Sequence, residues 1–225
     1  NWEVALHDPD IVVMQDASLL TAERSSAPDL AAAVYTGRQV YAYGQYIVAS
    51  RHPLRDCKVG AIPYRGRPHT YVRCTFTAHG VDVDLVTAHL LSPREGLNAT
   101  RHESLAGIDD WQQNFEDRLM QAGKLAADIA QRSRPLIVAG DLNAPDGSPV
   151  LRTLRERGLR DAFASAGRGY GYTHGHSLKP RISFLRIDHI LVSDEIGVTQ
   201  AYAGGKDASE HRPVIADLLL RREQR

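Results

Sequence analysis

The chain has no surplus charge of either sign, few sulfur atoms and no long apolar run. Its 27 Lys and Arg are matched by 27 Asp and Glu, for a net charge of zero. No global field therefore draws it onto nucleic acid or anionic lipid, and a polyanionic substrate has to be held locally. No apolar stretch approaches the roughly 20 residues that a bilayer-spanning helix needs. The first residues, NWEVALHDPD, carry neither the basic stretch nor the apolar core of a signal peptide. As it stands the chain is expected to be soluble, and an opening Asn1 in place of Met leads us to expect a natural start further upstream. Two cysteines, Cys57 and Cys74, are too few for a disulfide framework and lack zinc-site spacing. Two buried free thiols are the simpler reading. Pairing stays open, because each lies at the end of a short β-like run that a hairpin could bring together. No repeat, linker or low-complexity segment interrupts the 225 residues, and 43% hydrophobic content suffices for one continuous core. A single domain over 1–225 is expected.

Hydrophobic patterning supplies the elements. Asp10 to Gln15 (DIVVMQ) is a continuous apolar run, expected as an interior strand buried on both faces. Thr36 to Ser50 suits two strands around Gly44, and Val59 to Pro63 and Thr70 to Ala78 suit a hairpin turning at Arg65-Gly66. Val81 to His89 alternates as a strand. The period then changes from two to about 3.6: Phe115, Leu119, Leu125, Ala126 and Ile129 predict a helix over 114–131, stopped by Pro135. Leu136 to Ala139 is a buried strand, Ser148 to Arg157 a short helix opened by Pro149, and Gly167 to Lys179 a loop long enough to be functional. Strands follow over 187–192, 198–203 and 213–220. Strands outnumber helices without strict alternation, which predicts an α+β fold of two packed, mainly antiparallel sheets flanked by helices, a four-layer α/β/β/α sandwich.

Polar groups collect at the strand ends. Gly140-Asp141-Leu142-Asn143 follows the strand LIVA. There a short carboxylate faces the crevice and can bind a hard cation or orient water, and Asn143 can donate to an anionic oxygen. An Asx-type turn is the other reading of the same four residues. Asp188 sits inside the apolar run of RIDHILVS, where an ionised carboxylate needs a partner. His211 in Ser209-Glu210-His211-Arg212-Pro213 can supply it, with the carboxylate fixing the imidazole tautomer. If that segment is extended, Glu210 and His211 face opposite sides. Asp16 ends the first apolar strand and His89 ends VDVDLVTA. The loop from Tyr170 to His176, with Lys179, Arg181 and Arg186 behind it, is a candidate wall of the substrate groove. Any one of these is explained by a cap, a turn or a surface loop. Five strand ends bearing Asp, Glu, Asn or His together supply hard-cation ligands, a water-orienting carboxylate and phosphate donors.

In chain order these pieces resemble the endonuclease/exonuclease/phosphatase superfamily, which includes abasic-site endonucleases, pancreatic-type deoxyribonucleases, neutral sphingomyelinases and inositol polyphosphate 5-phosphatases. DPDIVVMQD, YGQYIVASRHPL, VDVDLVTAHL, GDLN, RIDHILVS and SEHRPV are similar to the family's motifs in order and spacing, from about Asp8 to Leu218. Arg118 and Gln121 fall where the family often has Arg and Gln. The resemblance implies that Asp16 and Glu210 bind metal, Asp141 orients or deprotonates water, and Asn143 contacts the phosphate. It also implies that His211, held by Asp188, stabilises the transition state and that His89 assists the phosphate or leaving group.

The implied activity is hydrolysis of a phosphate ester, foremost a phosphodiester, with one or two Mg²⁺ or Mn²⁺ ions; nucleic acid, a phospholipid headgroup and a small molecule are all candidate substrates. A catalytically impaired binding or scaffold protein is the alternative. Two departures from the family pattern are reciprocal: Asp stands at 16 for its Glu, and Glu stands at 210 for its Asp. Each changes reach by one methylene, and the expected result is a cation displaced towards Asp16. A third departure concerns the strand that opens the family fold: Asn1 lies only fifteen residues ahead of Asp16, and that strand is expected to be absent from this segment.

Overall fold

A computed structural model describes residues 2–17, 36–94, 96–98, 106–175, 181–206 and 209–220. Its centre is a six-stranded sheet in the order β4-β5-β6-β7-β9-β8, built from Leu54–Ala61, Thr70–Ala78, Val81–Ala88, Leu136–Asp141, Asp188–Ser193 and Leu159–Asp161. All neighbours are antiparallel except β6 and β7, which run parallel from Asp84↔Leu136 to Thr87↔Ala139. A parallel pair needs a crossover. The chain between them forms the helix α2, Ala106–Ile129, and returns it onto one face of the sheet.

That face packs Val86, Ala88, Leu136, Val138 and Leu191 against Leu125, Ala126 and Ile129 of α2 and Val150, Leu151 and Leu154 of α3, Pro149–Arg155. The opposite face packs Val72, Phe76, Val83, Leu85, Ile137 and Val192 against the second layer of strands. The expected sheet-on-sheet α+β sandwich is thus the observed fold, with the central sheet's alternating side chains feeding two cores.

The second layer is in two parts. Ile11–Met14 (β1), Tyr46–Ser50 (β3) and Gln39–Tyr43 (β2) form one three-stranded sheet, and Ile196–Ala203 (β10) pairs with Val214–Leu220 (β11) in another. β1 packs over β7 and β11 over the adjacent β9. The two parts therefore lie side by side, and among the described residues neither β1 nor β11 has a partner on its second edge. Among the described residues this interruption leaves both edges unpaired. It also corrects one expectation: the IVVM strand is half-buried at all four positions, because an edge strand has no neighbour to cover it. α1, Trp2–His7, packs at the end of the β10–β11 pair, where Glu3 accepts from the Gly205 amide at 2.7 Å and His7 meets the Tyr202 hydroxyl at 3.1 Å.

Other differences have local causes. α2 begins eight residues before the expected 114, because its first turns are mostly exposed and carry no core periodicity. β8 and the helix α4, Ala162–Ala166, were not legible as elements; they are short, and Asp161 serves as N-cap, accepting from Ala164 N at 2.9 Å. Asp188 is the first residue of β9, not an interior one. Cys57 and Cys74 form a disulfide between β4 and β5, beside the register shift between Arg55 and Lys58. The irregular register brings Cys57 alongside its partner, and the free-thiol reading is overturned. Among the described residues no helix is long and apolar enough to cross a membrane.

Candidate active site

The parallel junction of β6 and β7 creates the floor of the site. A Cβ at Gly140 would stand 2.1 Å from the Ala88 carbonyl oxygen, so glycine permits the close approach that sets His89 beside Asp141. The Leu90 amide donates to Asp141 O at 3.0 Å. Asn143 then takes a left-handed turn, φ 47°, a conformation that Asn tolerates through its own short polar contacts. Its amide nitrogen donates to Asp141 Oδ1 at 2.8 Å, and its side chain donates to Leu90 O at 2.9 Å. The Asx turn expected of GDLN is therefore present, and it fixes Asp141 Oδ1 and Asn143 at the strand end.

Across the sheet, Asp141 is in register with Asp188. His211 Nδ1 donates to Asp188 Oδ2 at 2.8 Å, and its Nε2 faces Asp141 Oδ2 at 3.9 Å. His89 Nε2 approaches the same Asp141 oxygen at 3.6 Å, while its Nδ1 is held by Gln45 Oε1 at 2.7 Å. The ligand atoms of Asp141, Asp188 and His211 all lie within 4.8 Å of one another.

Burial and the charge of Asp188 push the Asp141 carboxyl up to about 7. Burial pulls the His211 imidazole down, but the Asp188 hydrogen bond and the surrounding carboxylates outweigh it, and the net shift is upward. His89 moves the other way, lowered chiefly by burial. Asp141 and His211 both shift upward, so a carboxyl poised near neutrality lies beside a histidine that favours its charged form.

These groups open into a cleft of about 1210 Å³. Gln15, Asp16, His89, Asp141, Asn143, Asp188, Glu210 and His211 all line it. Asp16 and Glu210 are exposed on its rim and do not join the 4.8 Å cluster. Glu210 and His211 face the same cleft, not opposite sides, because Ser209 and Glu210 lie in a bend ahead of β11. Among the described residues four carboxylates, Asp16, Asp141, Asp188 and Glu210, face the cleft against one permanently charged cation, Arg94. Oxygen donors in such excess fit a hard divalent cation.

The Gly167 loop contributes more than a wall. Thr173 Oγ1 accepts from the Ile187 and Asp188 amides at 3.3 and 3.4 Å, and the His174 ring lies 4.6 Å from that of His211. Tandem polar residues in Tyr170 to His176 mark a groove in the sequence but not this support of the Asp188–His211 pair. His176 and Lys179 lie outside the described residues. Arg186 does not line the cleft. It is buried, donating to both oxygens of Asp161 at 2.8 and 2.9 Å and to Asp146. His189 also binds Asp161, Nδ1 to Oδ2 at 2.7 Å, and its Nε2 meets Ala144 O at 2.8 Å. Asp146, Asp161 and His189 are close enough for a metal, but Arg186 already neutralises them. The cluster instead braces the segment that follows Asn143.

The sequence profile of the Endonuclease/Exonuclease/phosphatase family matches residues 3–211. No curated protein matches the chain. Among solved structures, an endonuclease/exonuclease/phosphatase from Beutenbergia cavernae is 21% identical with a TM-score of 0.69; the match covers 97% of this chain and 64% of that one. The present chain thus spans less than two thirds of that relative's length. A mannosyl-6-phosphatase from Bacteroides thetaiotaomicron is 17% identical, TM-score 0.66, over 97% of this chain and 88% of its own. TDP2 from Caenorhabditis elegans is 19% identical, TM-score 0.65, over 95% and 66% respectively. At these identities the likeness is one of fold.

Proposed function

Because the chain belongs to the Endonuclease/Exonuclease/phosphatase family, whose members are phosphate-ester hydrolases, phosphatases or nucleases, we propose that it hydrolyses a phosphodiester with a bound Mg²⁺ or Mn²⁺. The observation that carries this reading is the convergence of Asp141, Asp188 and His211 within 4.8 Å at the base of a carboxylate-lined cleft. A diester is favoured over a monoester on charge: four carboxylates face one arginine, and a singly charged phosphate meets less repulsion there than a doubly charged one.

In this proposal Asp16 and Glu210 hold the cation from the rim, shifted towards Asp16. When bound, the cation supplies Lewis-acid polarisation of a phosphoryl oxygen and offsets developing negative charge. Asp141 takes the proton from the attacking water. Its Oδ1 is fixed by the Asn143 amide, so Oδ2 is the free base, and a carboxyl at about 7 is matched to general-base work near neutral pH. His211, positively charged and oriented by Asp188, offers Nε2–H to the phosphoryl oxygens as the pentacovalent arrangement forms. Asn143, its side-chain amide anchored on Leu90 O, contacts the phosphate, and His89, its Nδ1 fixed by Gln45, assists the phosphate or leaving group.

The test is hydrolysis of bis-p-nitrophenyl phosphate under titration with Mg²⁺ and Mn²⁺. Turnover should require the metal and drop by at least about 100-fold in Asp141→Ala and in His211→Ala. Equal rates in the variants would assign the activity to a contaminant. No turnover with any metal would favour a binding or scaffold protein.

A further inference from the structure

One face of α2 runs from the core to the mouth of the cleft and changes character on the way. Leu125 is fully buried. One turn back, Gln121 accepts from the Leu91 amide at 2.8 Å; then Arg118 donates to Asn143 O, and Asn114 donates to Ser92 O at 3.0 Å. These three polar residues clasp the helix to the two segments that carry His89 and Asn143. The same stripe continues to Trp111 and Ile108 at i−3 spacing, and there the neighbours stop. Trp111 is 40% exposed, Ile108 47%, and Leu97 beside them 50%. The backbone at Gly96 sits so close to α2 that a Cβ there would lie 3.1 Å from Trp111 Cα, which fixes Leu97 next to Trp111. All three line the cleft, and Pro145, Leu185 and Ile187 line it too.

Single exposed apolar residues are ordinary on a surface. Three that line the same cleft as Asp141, Asp188 and His211 form an apolar wall of the kind a ligand site has. The same wall lacks what a nucleic-acid groove requires. Arg94 is the one Lys or Arg lining the cleft among the described residues, and none of the other described residues there tracks a second or third phosphate. Resting on the phosphoesterase reading above, we propose that the substrate is an aliphatic phosphate ester, one phosphate joined to a hydrocarbon chain that lies along Trp111, Ile108 and Leu97. Hydrolysis adds water across one P–O bond, releasing the alcohol and leaving the other ester group on the phosphate.

The experiment compares p-nitrophenyl alkyl phosphates with methyl, butyl and octyl groups in Mn²⁺, each cleaved to p-nitrophenol and the alkyl phosphate. Full burial of a methylene corresponds to about fourfold in kcat/KM, and a wall open on one side to about twofold. From butyl to octyl, four methylenes more, a rise of about 16-fold is expected. Trp111→Ser should flatten the dependence on chain length, whereas Met120→Ser, exposed elsewhere on α2, should retain it. Binding of methyl- and octylphosphonate, measured by calorimetry, gives a second readout that needs no turnover. Rates that ignore chain length would overturn the aliphatic substrate and leave the hydrolase standing. Tighter octylphosphonate binding that depends on Trp111, without hydrolysis of any ester, would keep the apolar site and sink the hydrolase. Neither turnover nor a length dependence in binding would overturn both.

Discussion

Burying a carboxylate beside another carboxylate costs free energy, and Asp141, next to Asp188, carries that cost in the metal-free protein. Folded Asp141 holds its proton up to about pH 7, whereas an unfolded aspartate loses it near 3.8. Folding therefore takes up a proton between those values, and this group's contribution to stability falls as pH rises through that window. The difference of about three units corresponds to at most about 4 kcal/mol. Asp141→Asn keeps an oxygen for the Asn143 amide and removes the charge. In EDTA it should raise the unfolding temperature at pH 8 by roughly 5 °C or more and change it little at pH 3.5. Calorimetry at the two pH values checks this; an equal effect at both would mean Asp141 is not strained by its surroundings. Asp141 and the Asp188–His211 pair were legible because polar residues at apolar strand ends are conspicuous. The support from Thr173, His174 and Gln45 was not, since contacts between loops leave no periodic trace. Arg186 was misread for a related reason: a basic residue near a motif reads as a groove, and only folding reveals Asp161 and Asp146 as its partners.

At the scale of elements, the strands were read well wherever burial imposes alternation or an apolar run. Failures came where it does not. The first turns of α2 face solvent and the cleft, so their apolar residues, Ile108 and Trp111, carry no core period. β1 has the composition of an interior strand, yet its outer edge is open among the described residues. Its amides and those of β11 should exchange with deuterium faster than those of β6 and β7, whose ladders are flanked on both sides; equal protection would mean the two edges are covered. The disulfide closes a separation of 17 residues, a loop for which chain entropy predicts about 3 kcal/mol of stabilisation. Replacing Cys57 and Cys74 together with Ser should lower the urea-unfolding free energy by about that amount. No change would show that the hydrogen bonds of the β4–β5 ladder suffice alone.

For the molecule as a whole, the strand ends of two stacked layers meet at one rim. Asp16 comes from the three-stranded part, Glu210 and His211 from the approach to β11, and Asp141 and Asp188 from the central sheet. No single segment forms the site, which is why motif order along the chain was more informative than any one motif. In the proposed reading the position of a metal depends on a methylene of reach at Asp16 and at Glu210, and that is beyond sequence. Diffraction from crystals grown with Mn²⁺ and phosphate, using the anomalous signal, examines the convergence directly. The account predicts an ion about 2.1 Å from carboxylate oxygens of Asp16 and Glu210, with a phosphate oxygen turned to His211 Nε2. An ion lodged between Asp146 and Asp161, or both rim carboxylates beyond coordinating distance, would contradict it.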